Sequence, residues 1–142
     1  MYCDKKDMND RFGKQELIEL TDRDGSAGDI VEDVLNQAID DASSTIDGYL
    51  GGRYSLPLSV VPRILTRHAC DLARYFLYDN ALDDASTPAK RYHSSIKYLE
   101  QAANGKVQLG LDTKQQKAAT TATAEMYSAG SVFSRKQAKG FI

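Results

Sequence analysis

Apolar residues along this chain recur in steps of three and four, the spacing that places them on one face of an α-helix. The clearest case is residues 30–50, where Asp29 and Glu32 predict a capping box at the start. The glycine pair Gly51-Gly52 predicts the end, through a left-handed glycine. The face opposite the apolar stripe is acidic, and the stripe itself consists of Val31, Val34, Leu35, Ala38, Ile39, Ala42, Ile46, Tyr49 and Leu50.

Three further segments show helical spacing and carry helix start and stop signals. The first spans residues 4–20, and the second has a broad apolar stripe that includes His68 and ends at Leu77. The signals are Gly13, which interrupts the first segment, Pro62, which opens the second, Thr87-Pro88, which opens the third, and Asn104-Gly105, which closes it. We therefore predict an all-α fold, a small bundle of about four helices in residues 1–110.

The pattern changes from Leu111 onward. Residues 111–142 have few apolar side chains and no consistent period until Val132, Phe133, Phe141 and Ile142. This composition predicts a basic, extended or flexible C-terminal arm with an apolar end. No apolar run approaches the roughly 18 residues of a membrane span, and the N-terminal stretch lacks the apolar segment of a signal peptide. We expect no membrane partner and a cytoplasmic location.

Charge is distributed unevenly along the chain. Its 142 residues suit one domain, with a formal net charge of −2. Residues 1–110 carry 18 acidic and 13 basic side chains, a net −5, whereas residues 111–142 carry 2 acidic and 5 basic, a net +3. An acidic body argues against a dedicated duplex-DNA binder. The basic arm is either a solvated terminus or a segment that docks onto an acidic surface.

Few residue patterns indicate a reaction site or a metal site. Residues 22–33 begin like a calcium-binding EF-hand loop, but Ala27, Asp29 and Asp33 replace the glycine, the apolar residue and the glutamate that such a loop needs. A capped turn between helices is the simpler interpretation. Cys3 and Cys70 are too few for a disulfide framework, which indicates a reducing compartment. We expect no catalytic residue, no metal and no cofactor.

A row of arginines on the second helical segment leaves three interpretations open. Arg63, Arg67 and Arg74 lie on one side of it, near two tyrosines and Asp71. Such a row suits nucleic acid. It also suits a solvated face bridged by Arg67 and Asp71, which are four residues apart, or an interface with an acidic neighbour.

Four stretches of the sequence resemble a small protein of Mu-like phages and prophages, which is encoded among the head genes and regarded as a neck component, a head–tail connector or adaptor. They are "LIELTDRDG", "IDGYLGGRYSLPL", "VPRILTRHACDLARYFLY" and "YLEQAANGKVQLGL". The second, followed by "ACDLARY", is the most specific. The residues that match by position are Asp47, Tyr49, Leu50, Arg53, Tyr54, Leu56 and Pro57 in the central motif and Phe133, Arg135 and Phe141 in the terminal one. Gly51-Gly52 departs from the alanine pair common there.

The resemblance implies a structural protein of the virion neck that is not an enzyme. Its relatives look similar to connectors that form homo-oligomeric rings, often twelve-fold, between the portal protein and a tail-completion protein. Duplex DNA would pass through the lumen without sequence recognition, helped by an acidic wall. Tyr49 and Tyr54 would act as amphipathic anchors, and Arg53 would pair with Asp47 or with an acidic residue of a neighbouring subunit. An intrachain packing corner is the alternative role for these residues.

Two other classes of function remain open on the sequence. One is a small DNA-binding or DNA-packaging accessory protein that contacts duplex through the arginine row. The other is a calcium-responsive helical module built on residues 22–33.

Overall fold

The computed structural model describes residues 1–78 and 82–111. Five helices occupy these ranges: α1 (Lys5–Phe12), α2 (Lys14–Thr21), α3 (Glu32–Leu50), α4 (Arg63–Leu77) and α5 (Thr87–Ala103). The prediction of an all-α fold is confirmed. The predicted C-terminal arm, with Phe133, Arg135 and Phe141, lies outside the described residues.

The count is five because the first predicted segment is two short helices. Gly13 ends α1 and precedes α2. Its φ of +87° is a backbone conformation that side-chain-bearing residues rarely adopt. Asp4 caps α1: its carboxylate accepts the Asp7 amide, and the Asp7 carboxylate accepts the Asp4 amide. This capping box was not predicted.

The core forms where α3 packs on α4 and α5 packs on both. The predicted stripe of α3 is buried at Leu35, Ala38, Ile39, Ala42, Ile46 and Leu50. Helix α4 is the most enclosed element, since most of its residues from Leu65 to Ala73 are buried. It lies between α3, α5 and the α1–α2 pair, and it therefore carries the packing of the whole body.

Two predicted helix signals of α3 are wrong. The helix begins later than predicted, with Val31 rather than Asp29 at the N-cap position and no side-chain cap. The Asp29 carboxylate is instead occupied by the neighbouring Ile30 amide at 2.7 Å and by the Lys14 ammonium at 3.6 Å. Gly51 has φ −60°, so no left-handed glycine ends the helix. The chain continues in a helical sense because the Tyr54 amide still donates to the Leu50 carbonyl at 2.8 Å.

The predicted bounds of α4 and α5 need little change. Pro62 lies at the N-cap of α4 as expected, and Asn104 with Gly105 ends α5. Ser86, rather than Thr87, caps α5, because the Ser86 hydroxyl accepts the Ala89 amide at 3.4 Å and Thr87 is already helical.

A charged pair fastens α1 and α2 to α4. The Arg74 guanidinium donates to both carboxylate oxygens of Glu16, at 2.7 and 2.9 Å, and lies 4.6 Å from the ring centre of Phe12. Both charged side chains are largely shielded from solvent, and bidentate arginine–carboxylate pairs are among the stronger polar contacts. Among the described helices, none is long and apolar enough to cross a membrane.

The first residues of the chain belong to the core, which the sequence pattern did not indicate. Tyr2 is 6% exposed and its hydroxyl donates to the Asp47 carboxylate at the end of α3. Cys3 is buried against α4, where its thiol is hydrogen-bonded to that of Cys70. This hydrogen bond, followed by burial, raises the pKa of the Cys3 thiol. The N-terminal segment therefore ties α3 to α4.

Candidate subunit interface

The central motif, residues 47–57, forms the turn that leads from α3 towards α4. Asp47 lies in the last turn of α3 and accepts the hydrogen bond from Tyr2. Burial, then this hydrogen bond and the Asp47 charge, raises the pKa of the Tyr2 phenol. Within the described residues Asp47 forms no ion pair with Arg53, so the predicted pairing within the chain is wrong. The Asp47 carboxylate instead accepts the hydrogen bond from Tyr2, a contact that the sequence pattern did not indicate.

Arg53 lies against the end of α5. A Cβ added to Gly105 would come within 2.7 Å of the guanidinium carbon, so a side chain at position 105 would displace the guanidinium from this place. Gly105 has φ +77°, which also favours glycine. The Nε atom of Arg53 is buried without a hydrogen-bond partner. Arg53 thus packs the turn onto the carboxyl end of α5, where the helix dipole favours a cation.

Tyr54 is fully buried, and it does not have the polar partner expected of an amphipathic anchor. Its ring is 0% exposed, and its hydroxyl has no hydrogen-bond partner among residues 1–78 and 82–111. The phenol lies close enough to Tyr98 of α5 to add, after burial, to the raised pKa of Tyr98. Tyr54 is therefore a core residue, and its position explains why the turn cannot move independently of α5.

The rest of the loop between α3 and α4 presents apolar side chains at the surface. Tyr49 and Leu56 are half-buried against the core, whereas Pro57 is exposed and Val60 is 66% exposed. The peptide bond between Leu56 and Pro57 is cis.

Together these contacts describe an intrachain packing corner. Asp47, Arg53 and Tyr54 each contact another element of the same chain, namely the N-terminal segment or α5. A subunit-interface role for them, and for Tyr49, stays a prediction. Phe133, Arg135 and Phe141 lie outside the described residues, so the structure does not bring the two halves of the predicted site together.

His68 is a core residue, as its place in the apolar stripe of the second helical segment indicates. Its Nδ1 lies 2.8 Å from the Ser95 hydroxyl, and its ring stacks on Tyr98 with the ring centres 4.4 Å apart. Burial, and then the charge of Arg67, lowers the pKa of His68 to about 4. The imidazole is consequently neutral at pH 7.

Asp71 is the most informative charged residue on α4. It is 6% exposed and forms no direct ion pair in the described part of the chain, so the predicted solvated bridge to Arg67 is wrong. Burial raises its pKa, opposed first by Arg91 of α5, then by Arg67, Arg11 and Arg74. Four arginines from three helices thus surround one shielded carboxylate. Because Arg74 is already paired with Glu16, the other three arginines outnumber the Asp71 carboxylate and the region is positive.

The acidic loop between α2 and α3 uses its carboxylates to hold its own backbone. Asp22 accepts the amides of Ala27 and Gly28, at 3.1 and 2.8 Å, and Asp24 accepts the amide and hydroxyl of Ser26. Within residues 1–78 and 82–111 no group of three or more metal-ligating side chains is placed to hold an ion. The loop has the geometry of a capped turn.

A cleft of about 620 Å3 lies between the start of α1 and the α2–α3 loop. Its lysines are paired with carboxylates: Lys5 with Glu32, Lys6 with Asp10 and Lys14 with Asp29. Because each cation already has a counter-charge, the cleft is not a strong anion site.

Comparison with known proteins agrees with the resemblance seen in the sequence. The family model "Bacteriophage Mu, Gp36" matches residues 2–128. The Mu-like prophage FluMu protein gp36 of Haemophilus influenzae is 46% identical over 108 residues, which cover 76% of this chain and 75% of the relative. Gene product J of Escherichia phage Mu is 35% identical over an alignment that covers 99% of each chain. Because the family model matches most of the sequence, this chain belongs to the Bacteriophage Mu Gp36 family of phage proteins.

Proposed function

We propose that this chain is a non-enzymatic structural protein of the virion neck, which forms a homo-oligomeric ring between the portal protein and the tail-completion protein. The proposal rests on the contacts of residues 47–57, the stretch most specific to the family. These residues hold the N-terminal segment, the end of α3 and the end of α5 in one fixed corner. A rigid shape is what a ring subunit needs, because small changes in subunit angle change whether a ring closes.

Neighbouring elements support the same role. The Arg74–Glu16 pair and the contact of Cys3 with Cys70 hold the remaining helices to α4. The buried His68 of α4 contacts Ser95 and Tyr98 of α5. A rigid helical body with an acidic net charge lets duplex DNA pass through a lumen without sequence recognition.

In this proposal the C-terminal arm binds the neighbouring proteins. Residues 111–142 carry a net charge of +3 and end in apolar side chains. Phe133 and Phe141 bind a neighbouring subunit or the portal, and Arg135 pairs with an acidic residue there.

Removal of the gene is expected to stop virion assembly at the neck. In an induced prophage that lacks this gene, DNA-filled heads and free tails accumulate and infectious titre falls by at least a thousandfold. Resupply of Phe133→Ala/Phe141→Ala leaves most of that defect, whereas Tyr127→Ala, an aromatic change elsewhere in the arm, restores the titre. Electron microscopy counts joined and unjoined particles, and mass spectrometry of purified virions detects the chain. Tailed, infectious particles without the chain would contradict the proposal.

A second candidate function is duplex-DNA binding through the arginines around Asp71. The observation that favours it is the positive region formed by Arg67 and Arg91 with Arg11. The neck proposal predicts no retarded band in a gel-shift titration up to about 10 μM protein at 150 mM NaCl. Binding at or below micromolar protein, with affinity that falls steeply as salt rises, would favour the DNA-binding function instead.

A further inference from the structure

Opposite charges occupy different helices of this body. Helix α3 carries five acidic side chains and no basic one. Helices α4 and α5 together carry six basic side chains and two acidic ones. One of those two acidic side chains, Asp71, is buried. Arg74 is shielded too, in its pair with Glu16, so the exposed surface of α4 and α5 presents five basic side chains and one acidic one.

The two charged surfaces cannot neutralise each other within one chain. Helix α3 turns its apolar stripe, with Leu35 and Ile39, towards α4 and α5. Its exposed acidic side chains, Asp33, Asp40 and Asp41, lie outside that stripe. Among the described residues, none of these three carboxylates has an ion-pair partner.

The spacing of the charges places the exposed ones on one side of each helix. Asp33, Asp40 and Asp47 recur every seven residues, which places them in one row about 21 Å long, since a helix rises 1.5 Å per residue. On α4, Arg63 and Arg67 are four residues apart and lie on the same side, whereas Arg74 further along that side is shielded by its pair with Glu16. Arg91 widens the basic row from α5. Arg63, Arg67 and Arg91 are exposed.

The geometry points to a head-to-tail contact between copies of this chain, in which the acidic face of α3 in one subunit docks on the basic face of α4 and α5 in the next. Each copy carries one face of each kind, and such a heterologous contact closes into a ring when the rotation is right. The inference rests on the proposed ring and identifies the two surfaces that meet in it. Pairing of α3 with α3 is disfavoured, because the two acidic faces repel each other.

The test uses two charge-reversed variants of the full chain. The first carries Asp33→Lys/Asp40→Lys and the second carries Arg67→Glu/Arg91→Glu. Each is supplied to a prophage that lacks the gene, first separately and then as a pair. A control matched to the first variant, Glu19→Lys/Asp84→Lys, raises the net charge by the same amount at other exposed sites.

Each variant alone is expected to lower the titre of tailed particles at least a hundredfold. When both variants are supplied together, the titre is expected to recover to within about tenfold of wild type. In alternating subunits, the lysines on α3 of the first variant then meet the glutamates on α4–α5 of the second, and the two unaltered faces also meet. The control stays near wild type. Normal titre from either variant alone overturns the inference. So does failure of the pair to recover while both variants melt cooperatively by circular dichroism.

A crosslinking measurement separates this inference from the proposed function. Arg67→Lys is treated with a carbodiimide, which joins carboxylates to amines, both in purified particles and as concentrated soluble protein. The expected product joins Asp40 of one chain to position 67 of another. If particles lack the chain, the neck proposal fails and the soluble crosslink alone decides the inference. Crosslinks from α3 to Lys136 or Lys139 of the arm, with none to position 67, overturn it.

Discussion

Tyr54→Ala is expected to lower the free energy of unfolding by about 3–5 kcal/mol, the range for removing a fully buried aromatic side chain. The ring is 0% exposed and lies at the junction of the α3–α4 turn with α5. Its loss leaves a cavity at that junction. Urea denaturation followed by circular dichroism measures the change.

Tyr54→Phe is the matched control, because it removes only the hydroxyl. That hydroxyl is buried and has no partner in the structure, so its removal is expected to change stability by less than about 1 kcal/mol, in the stabilising direction. Tyr2→Phe, by contrast, loses the hydrogen bond to Asp47 and is expected to destabilise. Destabilisation by Tyr54→Phe would contradict the assignment of Tyr54 as a packing residue. Normal stability of that variant with lost particle assembly would identify the hydroxyl as an interface group.

The second large effect is a loss of stability in acid that depends on His68. In the folded chain its pKa is about 4, below the ordinary value of 6.5, because burial and Arg67 disfavour the imidazolium. The unfolded chain takes up a proton as the pH falls through 6.5, whereas the folded chain does not until about pH 4. The stabilisation is therefore complete above pH 6.5 and is lost between pH 6.5 and 4. We expect this residue to account for about 2 kcal/mol of that loss.

His68→Gln is expected to flatten the dependence of unfolding free energy on pH in this window. His93→Gln serves as the control, because His93 is exposed and its removal leaves the loss in place. Asp71→Asn is expected to steepen the loss of stability in acid. Burial raises the Asp71 pKa, so the wild-type folded state gains stability as this carboxyl takes up a proton, and the asparagine variant lacks that gain. Equal pH profiles for wild type and His68→Gln would contradict the argument.

Helical periodicity predicted the parts of the fold that depend on local sequence. The buried stripes of α3 and α4 match the predicted stripes closely, since a 3.6-residue period is a property of each segment alone. Gly13 and Gly105 were placed as breaks for a local reason too, because both have positive φ. These features need no knowledge of what lies across the core.

Features that depend on distant partners were missed or wrong. Tyr2 and Cys3 have no periodic neighbours, and only the folded chain brings them to Asp47 and Cys70. Asp29 was predicted to cap α3, but its carboxylate pairs with Lys14 instead. A charged residue such as Asp71 on a helix is normally solvated, and only the packing of α1 and α5 around α4 explains its burial.

The candidate site shows the same division. The central motif was found by resemblance, which carries no information about which groups its residues contact. The positive region around Asp71 draws on α1, α4 and α5, and the sequence showed only the α4 part of it, as a row of arginines. The contrast in charge between α3 and α4–α5 is, by comparison, a local property, because it follows from the residue types within each helix.

The contacts of the N-terminal segment also set an order for folding during synthesis. Tyr2 and Cys3 leave the ribosome long before Asp47 and Cys70 are made, so the two side chains stay solvated while α1 and α2 emerge. They reach their final places only when α3 and α4 are available to receive them. Tyr2 and Cys3 are thus fixed later than the helices that follow them directly, and a nascent polypeptide that stalls before α4 keeps the Cys3 thiol free.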